Sequence, residues 1–350
     1  MFADLNLGDM TPITASILLG AMLGLLFGAL GQRSRFCIRR GLVSGSRDRK
    51  QAFGTWIMAL GTAVLGTQAA VAAGYISFAD HRFMAEALPL ASIALGGLVF
   101  GAGMVLTRGC ISRQTVLLGT GNTRSLIVIA AFALIAHATL KGVLAPVRTS
   151  VGALTVDLEV TSFAALPGGA ALWSAVIAIA AFGIAARSGA RFGYLAMGAA
   201  IGLLIPAGWV GTGFVLLDDF DPIAMQSLSF TLPWADTLFW GIASSAIPAG
   251  FGVGLTAGVV GGSLIAALIA REFAWQGFET PRQTGRYLLG ASLMGFGGVL
   301  AGGCTVGAGL SGTATLSFAA VLVLVFVILG AIITDRALNG AGRAVAVPAE

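Results

Sequence analysis

The chain has 350 residues, of which 57% are hydrophobic and only 10% are charged, and its mean hydropathy is +0.93. A soluble globular protein carries about 25% charged residues, so this composition excludes soluble enzymes, nucleic-acid binders and disordered proteins. The balance of 20 basic against 15 acidic residues is typical of a membrane protein in which basic loops set the orientation. Three cysteines without a C-x-x-C pair exclude a disulfide scaffold, and two histidines exclude a histidine-rich metal site.

Apolar runs of roughly the 20 residues needed to cross a bilayer recur along the whole chain. The sequence therefore predicts an all-α, polytopic transmembrane protein with about nine spans. The predicted spans are residues 13–31, 53–75, 88–107, 125–145, 169–186, 192–211, 238–270, 287–301 and 313–334. The first span is not expected to be a signal peptide, because acidic rather than basic residues precede it.

Basic residues are concentrated in the loop between the first two predicted spans. The charged residues of this loop are Arg33, Arg35, Arg39, Arg40, Arg47, Asp48, Arg49 and Lys50. The positive-inside rule places such a loop in the cytoplasm. We therefore expect a multi-pass protein of the bacterial inner (plasma) membrane. Its N-terminus is predicted to be periplasmic and its short tail, residues 335–350, cytoplasmic.

Two sequence matches indicate an internal repeat. Residues 101–110, GAGMVLTRGC, match residues 295–304, GFGGVLAGGC, at six of ten positions, and one of these is a cysteine. Residues 20–29, GAMLGLLFGA, match residues 198–207, GAAIGLLIPA, also at six positions. Five predicted spans separate the two copies, so the second copy should be inverted, as in many transporters. The alternative is an old gene duplication without a transport role. The prediction is one transmembrane domain, 1–350, with a first repeat at 13–186 and a second, inverted repeat at 192–334.

Four segments at the ends of spans are poorly suited to an uninterrupted helix: residues 31–41, 107–122, 206–213 and 301–313. Irregular backbone at membrane depth is tolerated only where protein buries it or where it lines a cavity. We expect loops that enter the membrane from both faces toward a shared centre. For the charged segment 31–41 considered alone, an ordinary aqueous loop is the favoured interpretation. Glycines at GxxxG spacing, such as Gly20, Gly24 and Gly28 or Gly198 and Gly202, are expected to pack helices closely.

The three cysteines, Cys37, Cys110 and Cys304, each lie in one of the interrupting segments. A neutral thiol is a weak hydrogen-bond donor with a soft, polarisable sulfur, which suits a soft sulfur-bearing anion. Bound Cu(I) or another soft metal ion is the rival interpretation. All fifteen acidic residues fall outside the predicted spans, whereas cation carriers and proton-coupled carriers usually need a carboxylate within the membrane. An anion is therefore the preferred cargo.

An anion would be met by backbone N–H groups and by a few arginines. The arginines nearest to cysteines are Arg33, Arg35 and Arg108, although positive-inside anchoring is the favoured interpretation for most of the basic cluster. The glycines next to the cysteines, Gly109, Gly302 and Gly303, are candidates to present N–H groups.

The motifs RSRFC at 33–37, TRGC at 107–110 and AGGCTVGAGLSG at 301–312, in this order, resemble the YeeE/YedE-type sulphur-transport family. The resemblance covers nearly the whole chain. It implies an inverted-repeat membrane protein that imports thiosulfate, in which one cysteine of each of three loops contacts the ion through thiol hydrogen bonds. Carried over, these are Cys37, Cys110 and Cys304. Some relatives are linked to other sulfur or selenium species, and relatives often work beside a small cytosolic sulfurtransferase-type protein, which is the implied partner.

The sequence thus predicts a transporter rather than an enzyme, importing thiosulfate or a closely related small sulfur anion through a relay of three thiols. No cofactor, metal or nucleic acid is expected. The alternatives are transport of another sulfur or selenium species or of a soft metal ion, a membrane thiol-redox protein, and a structural subunit of a larger sulfur-metabolising complex. The missing C-x-x-C pair argues against the redox alternative.

Overall fold

The structure, a computed structural model, describes residues 10–43, 48–218 and 220–344. Its α-helices are α1 Pro12–Arg33, α2 Ile38–Leu42, α3 Arg49–Ala72, α4 Leu90–Leu106, α5 Ile111–Gly119, α6 Thr123–Lys141, α7 Ala145–Gly152, α8 Gly169–Arg187, α9 Phe192–Val210, α10 Thr231–Ala243, α11 Phe251–Ile269, α12 Pro281–Leu300 and α13 Phe318–Ala344. Two short antiparallel strands, β1 Ala87–Leu88 and β2 Val156–Asp157, pair within the loops. The shorter helical stretches are the π-helical Gly211–Val215 and Gly307–Gly312 and the 3-10 turns Arg82–Met84, Phe163–Ala165 and Thr313–Thr315.

Eight helical segments in the described part of the chain are long and apolar enough to cross a membrane. They are Pro12–Leu42, Arg49–Ala72, Leu90–Gly119, Thr123–Lys141, Gly169–Arg187, Phe192–Val215, Phe251–Ile269 and Phe318–Asn339. The predicted all-α polytopic membrane fold is therefore confirmed. The predicted span 287–301 falls in α12, a 20-residue helix that begins with the polar residues Arg282, Gln283 and Arg286 and is too polar to belong to this set.

The predicted span 238–270 is unusually long, which also allowed a helix with a short flank, and the chain forms two helices there. Helix α10 ends at Ala243 and α11 begins at Phe251, with Pro248 and Gly250 in the break between them. Helix α10 also starts inside the protein rather than at its surface. Phe230, just before it, is fully buried and packs on Phe27 of α1 with ring centroids 5.3 Å apart.

The predicted interruption at 206–213 is wrong for residues 206–210, which are plain α-helix, but residues 211–213 are π-helical. Helix α9 continues through Pro206 to Val210 and passes directly into the π-helical stretch Gly211–Val215. The Pro206 ring packs against Gly66 of α3, where an added Cβ would lie only 2.7 Å from the ring. A proline inside a transmembrane helix is tolerated when neighbouring helices and local π geometry accommodate the lost hydrogen bond.

Glycines bring two pairs of helices into backbone contact. On α1, Gly20 and Gly24 face backbone oxygens of α11, so that an added Cβ would collide with them. On α9, the aligned Gly198 and Gly202 face backbone oxygens of α3 in the same way. The contacts advance in step along both helices of each pair, so each pair runs parallel. The predicted role of these glycines in close helix packing is confirmed.

The matched segments 101–110 and 295–304 make a reciprocal set of contacts. Gly103 of α4 faces α12, and the aligned Gly297 of α12 faces α4; these two helices run antiparallel. Gly101 of α4 faces α13, and the aligned Gly295 of α12 faces α6. Such an exchange of partners is what two inverted copies would produce, while the repeat boundaries themselves stay a prediction.

Replacing Gly258 on α11 with alanine tests the close packing. An added Cβ would collide with the carbonyl oxygen of Ala21 on α1, so the two backbones must separate. We expect Gly258→Ala to destabilise the protein by about 1–3 kcal/mol, the usual cost of overpacking, seen as a lower unfolding temperature in detergent. Gly261→Ala is the matched control, because that glycine on the same helix faces open space. Equal unfolding temperatures for the two variants would refute the packing role.

Candidate functional site

Each cysteine follows the same backbone turn at the end of a long helix. The residues two positions before the cysteines, Arg35, Arg108 and Gly302, have φ angles of 51°, 59° and 78°. This left-handed conformation commonly closes a helix, usually with glycine, and costs roughly 1 kcal/mol or more in other residues. The turn releases the chain from α1, α4 and α12, so that each cysteine lies at a break in the helix.

The glycines predicted to present N–H groups have mainly structural roles in this conformation. The N–H of Gly109 donates to the carbonyl of Met104 at 3.1 Å, and that of Gly302 donates to Val299 at 3.1 Å. Both N–H groups therefore close the preceding helix instead of facing a ligand. Gly303 has no room for a side chain, since an added Cβ would lie 2.9 Å from the Cβ of Ala308.

The structure brings together the three cysteines that the sequence places in separate loops. All three are free thiols, and Cys37, Cys110 and Cys304 are 2%, 2% and 0% exposed. The side chains of Cys37 and Cys110 interact directly, and we call them the Cys37–Cys110 pair. The Sγ of Cys110 also lies 3.2 Å from the Oγ of Ser112.

Thr305 connects Cys304 to this pair. Its hydroxyl lies beside the Cys110 thiol, and it is buried without a well-formed hydrogen bond. The Cys304 sulfur accepts a hydrogen bond from the N–H of Gly307 at 3.3 Å. Because α4 and α12 are antiparallel, Cys110 and Cys304 approach this point from opposite ends of the protein. The result is a row of buried side chains that leads from Cys304 through Thr305 to the Cys37–Cys110 pair.

A cavity of about 490 Å³ opens beside Cys304. Gly307 and Ser311 of the π-helical stretch form part of its wall, and Trp209 of α9 forms another part. We call it the Trp209 cavity. The guanidinium of Arg82, which also lines the cavity, is close enough to Cys304 to interact with it electrostatically. The cavity thus ends one residue layer short of the buried Cys304 thiol, at Gly307, whose N–H holds the Cys304 sulfur.

Hydrogen-bond donors line the Trp209 cavity. The indole Nε1 of Trp209 is buried without an acceptor. The Nδ1 of His81 accepts the N–H of Phe83 at 3.3 Å, which leaves the proton of the neutral ring on Nε2 as a donor. Arg82 adds a positive charge, and Asp80 is the acidic residue in the lining. This set of donors is suited to an anion. Sequence reasoning missed His81 and Arg82, although a basic pair in a loop predicted to lie outside was an available signal.

The predicted arginines lie at the surface. Arg33, Arg35 and Arg108 all have exposed side chains. The arginines that interact electrostatically with the Cys37 thiol are instead Arg113 and Arg39, both partly buried. The role predicted for Arg33, Arg35 and Arg108 stays a prediction, although closeness to a cysteine in the sequence does not bring these side chains into the interior.

One acidic residue contradicts the prediction that all fifteen lie outside the spans. Asp335 is 6% exposed and falls within the spanning segment Phe318–Asn339, whereas the predicted span ended one residue earlier. It interacts electrostatically with Arg39 of α2. The argument against a carboxylate in the membrane therefore does not hold for the inner end of α13.

The pH dependence of stability tests the environment of His81. Burial, together with the neighbouring Arg82, lowers the pKa of His81 to about 4. The unfolded chain, with a pKa near 6.5, binds the proton first, so His81 costs stability as the pH falls from about 6.5 to 4. We expect His81→Gln to reduce this loss by up to about 2 kcal/mol, measured as unfolding temperature against pH in detergent. Parallel pH profiles for the two proteins would contradict this environment.

Known proteins share this chain's sequence over most of its length. The family described as Sulphur transport matches residues 33–333, a range that includes all three cysteines. The thiosulfate transporter TsuA of Escherichia coli (strain K12) is 30% identical over 344 residues, covering 90% of this chain and 92% of that protein. The thiosulfate transporter TsuA of Spirochaeta thermophila is 28% identical over 331 residues, covering 89% and 96%. The family resemblance of the cysteine motifs is confirmed, and the chain belongs to the sulphur-transport family.

Proposed function

We propose that this protein imports thiosulfate, or a closely related small sulfur anion, across the bacterial inner membrane. The observation that carries the proposal is the row of three free, buried thiols behind the Trp209 cavity, in which Thr305 connects Cys304 to the Cys37–Cys110 pair. Thiosulfate is a dianion with one soft terminal sulfur and three hard oxygens. Thiols suit the soft sulfur, and N–H donors suit the oxygens. Two relatives named thiosulfate transporters support this substrate.

The proposed route runs from the Trp209 cavity past Cys304 and Thr305 to the Cys37–Cys110 pair. The positive-inside rule supports this direction, because basic residues surround the pair and place its end in the cytoplasm. The N-terminus is then periplasmic and the C-terminus cytoplasmic. A relay of neutral thiols lets an anion pass from one donor to the next without meeting a strong trap.

The thiols are almost inaccessible in the conformation described, so transport requires movement around Cys304. The π-helical stretch Gly307–Gly312 carries the N–H that holds the Cys304 sulfur. Segments of π-helix are frequent at functional sites because their wider turn is easily rearranged. A shift of this stretch would connect the cavity with the thiols, which makes it the proposed outer gate.

A membrane thiol-redox function is the second candidate, and one observation favours it. The C-x-x-C motif is missing, yet the fold places Cys37 and Cys110 side by side. Counting free thiols with and without reductant in the purified protein separates the candidates. A soft-metal carrier has less support, because no group of three or more His, Cys, Asp and Glu side chains in the described residues could hold a metal ion.

The cytosolic partner implied by the family resemblance belongs to the same proposal. A small sulfurtransferase-type protein at the inner face would consume arriving thiosulfate and keep the gradient inward. Co-purification with and without thiosulfate tests this association independently of transport.

Replacing each cysteine in turn tests the relay. A bacterium deficient in sulfate uptake is grown on thiosulfate as sole sulfur source while expressing the chain. We expect Cys37→Ala, Cys110→Ala and Cys304→Ala to abolish growth, because each removes one donor from the row. The serine variants should keep part of the activity, since a hydroxyl also donates.

Gly261→Ala serves as the control for expression and insertion in this experiment. Normal growth of all three alanine variants would disprove the relay. Failure of the unmodified chain, with the protein present in the membrane, would disprove thiosulfate import by the chain alone.

Two substitutions test the Trp209 cavity as the entry site. Trp209→Phe keeps an aromatic ring but removes the unpaired N–H, and we expect the KM for thiosulfate uptake to rise about fivefold, the value of one neutral hydrogen bond. Arg82→Gln removes a positive charge, and its KM should rise further, most clearly at low salt. Arg191→Gln, an exposed arginine of the loop before α9, is the control. Unchanged KM values for both cavity variants would exclude this entry site.

A further inference from the structure

Arg113 is an arginine of the inner half of the protein that has no acidic partner in the part of the chain described. It lies in the first turn of α5, the helix whose N-cap is Cys110. Its stem packs against Gly109, and its Nη1 donates one long hydrogen bond, 3.3 Å, to the carbonyl of Gly31. The charged or polar groups that influence it are the two thiols of the Cys37–Cys110 pair and two other arginines, Arg35 and Arg40.

Three other arginines of this region, unlike Arg113, have an acidic partner. Arg40 forms a salt bridge with Asp48 at 3.0 Å. Arg124, near the following helix, forms one with Glu279 at 2.9 Å. Arg39, which also interacts with Cys37, has Asp335 beside it. Carboxylates within the chain therefore balance these charges, whereas none of the acidic side chains that the structure describes forms an ion pair with Arg113.

A partly buried guanidinium without a counter-ion is unfavourable, and only a bound anion would balance it. The planar guanidinium also matches the geometry of an oxyanion, to which it can donate two parallel hydrogen bonds. Arg113 lies within electrostatic reach of both thiols of the pair. An ion with hard oxygens at one end and a soft sulfur at the other could engage the arginine and the thiols together.

We propose that Arg113 is the specificity-determining residue of an inner anion site, where it binds the oxygens of the ion while the Cys37–Cys110 pair contacts its sulfur. This inference rests on the proposed function and adds the charged group that the thiol relay lacks. It replaces the exposed Arg33, Arg35 and Arg108, which the sequence suggested for this role. The site selects an oxyanion dianion over neutral sulfur compounds of similar size.

Uptake of labelled thiosulfate by purified protein in liposomes tests the inference. We expect Arg113→Gln to raise KM about tenfold or more, as for loss of a charge-assisted hydrogen bond. Arg113→Lys keeps the charge but loses the planar guanidinium with its two parallel donors, and should raise KM severalfold. Arg191→Gln, at an exposed arginine before α9, is the control and should leave KM unchanged.

A second readout measures binding without transport. Methyl methanethiosulfonate reaches the buried thiols when the protein opens for transport, and thiosulfate bound at the inner site should slow modification of Cys37 and Cys110 in the unmodified protein. We expect this protection to be lost in Arg113→Gln and weakened in Arg113→Lys, with Cys304 as an internal comparison.

The outcomes distinguish the two proposals. No uptake by the unmodified protein, whatever the variants do, overturns thiosulfate import. Normal uptake by the unmodified protein together with unchanged KM and unchanged protection in the Arg113 variants overturns the inner site alone. If Arg113→Gln fails to insert, Arg113→Lys decides, because unchanged KM and protection in that variant would remove the specific role of the guanidinium.

Discussion

The structure depends on one constraint, which is that a backbone group at membrane depth must find its hydrogen bond within the protein. Three long helices, α1, α4 and α12, end in a left-handed turn just before a buried cysteine, and the backbone groups of these turns need partners within the protein. Those turns survive because other helices enclose them. Glycines that bring α1 against α11 and α9 against α3 make that enclosure tight enough to exclude lipid and water. The glycines that pack the helices and the turns before the cysteines thus depend on each other, because the close packing encloses those turns.

The thiols show how such a protein can conduct an anion through an interior of low dielectric constant. A full positive charge at every step would bind a dianion too tightly to release it, whereas bare apolar walls would repel it. In the proposed relay, Cys304, Cys110 and Cys37 act as neutral donors that lower the barrier without creating a trap. Positive charge lies on either side of them, at Arg82 on the cavity side and at Arg113 on the inner side. This arrangement explains why neutral residues occupy the centre.

Local patterns in the sequence predicted where helices lie better than they predicted where a helix is broken or continues. The apolar runs identified the membrane helices, and GxxxG spacing identified the glycines that pack. The sequence allowed a flank within 238–270 but did not locate the break, and it misjudged the plain helix through residues 206–210. A proline or glycine breaks a helix only if its neighbours leave the lost contacts unfilled. Pro206 is accommodated by Gly66 of α3, and no local pattern could show that partner.

The sequence by itself determined that this is a polytopic helical membrane protein of the sulphur-transport type, because hydropathy and the cysteine motifs are local properties of the chain. It also determined that three thiols lie at breaks in long helices. Only the tertiary structure decided which groups meet. It placed Cys37 beside Cys110 and set Thr305 between that pair and Cys304. It turned the nearest arginines outward and left Arg113 inside. The physical reason is that neighbours across helices depend on how the helices pack, and packing is a property of the whole chain.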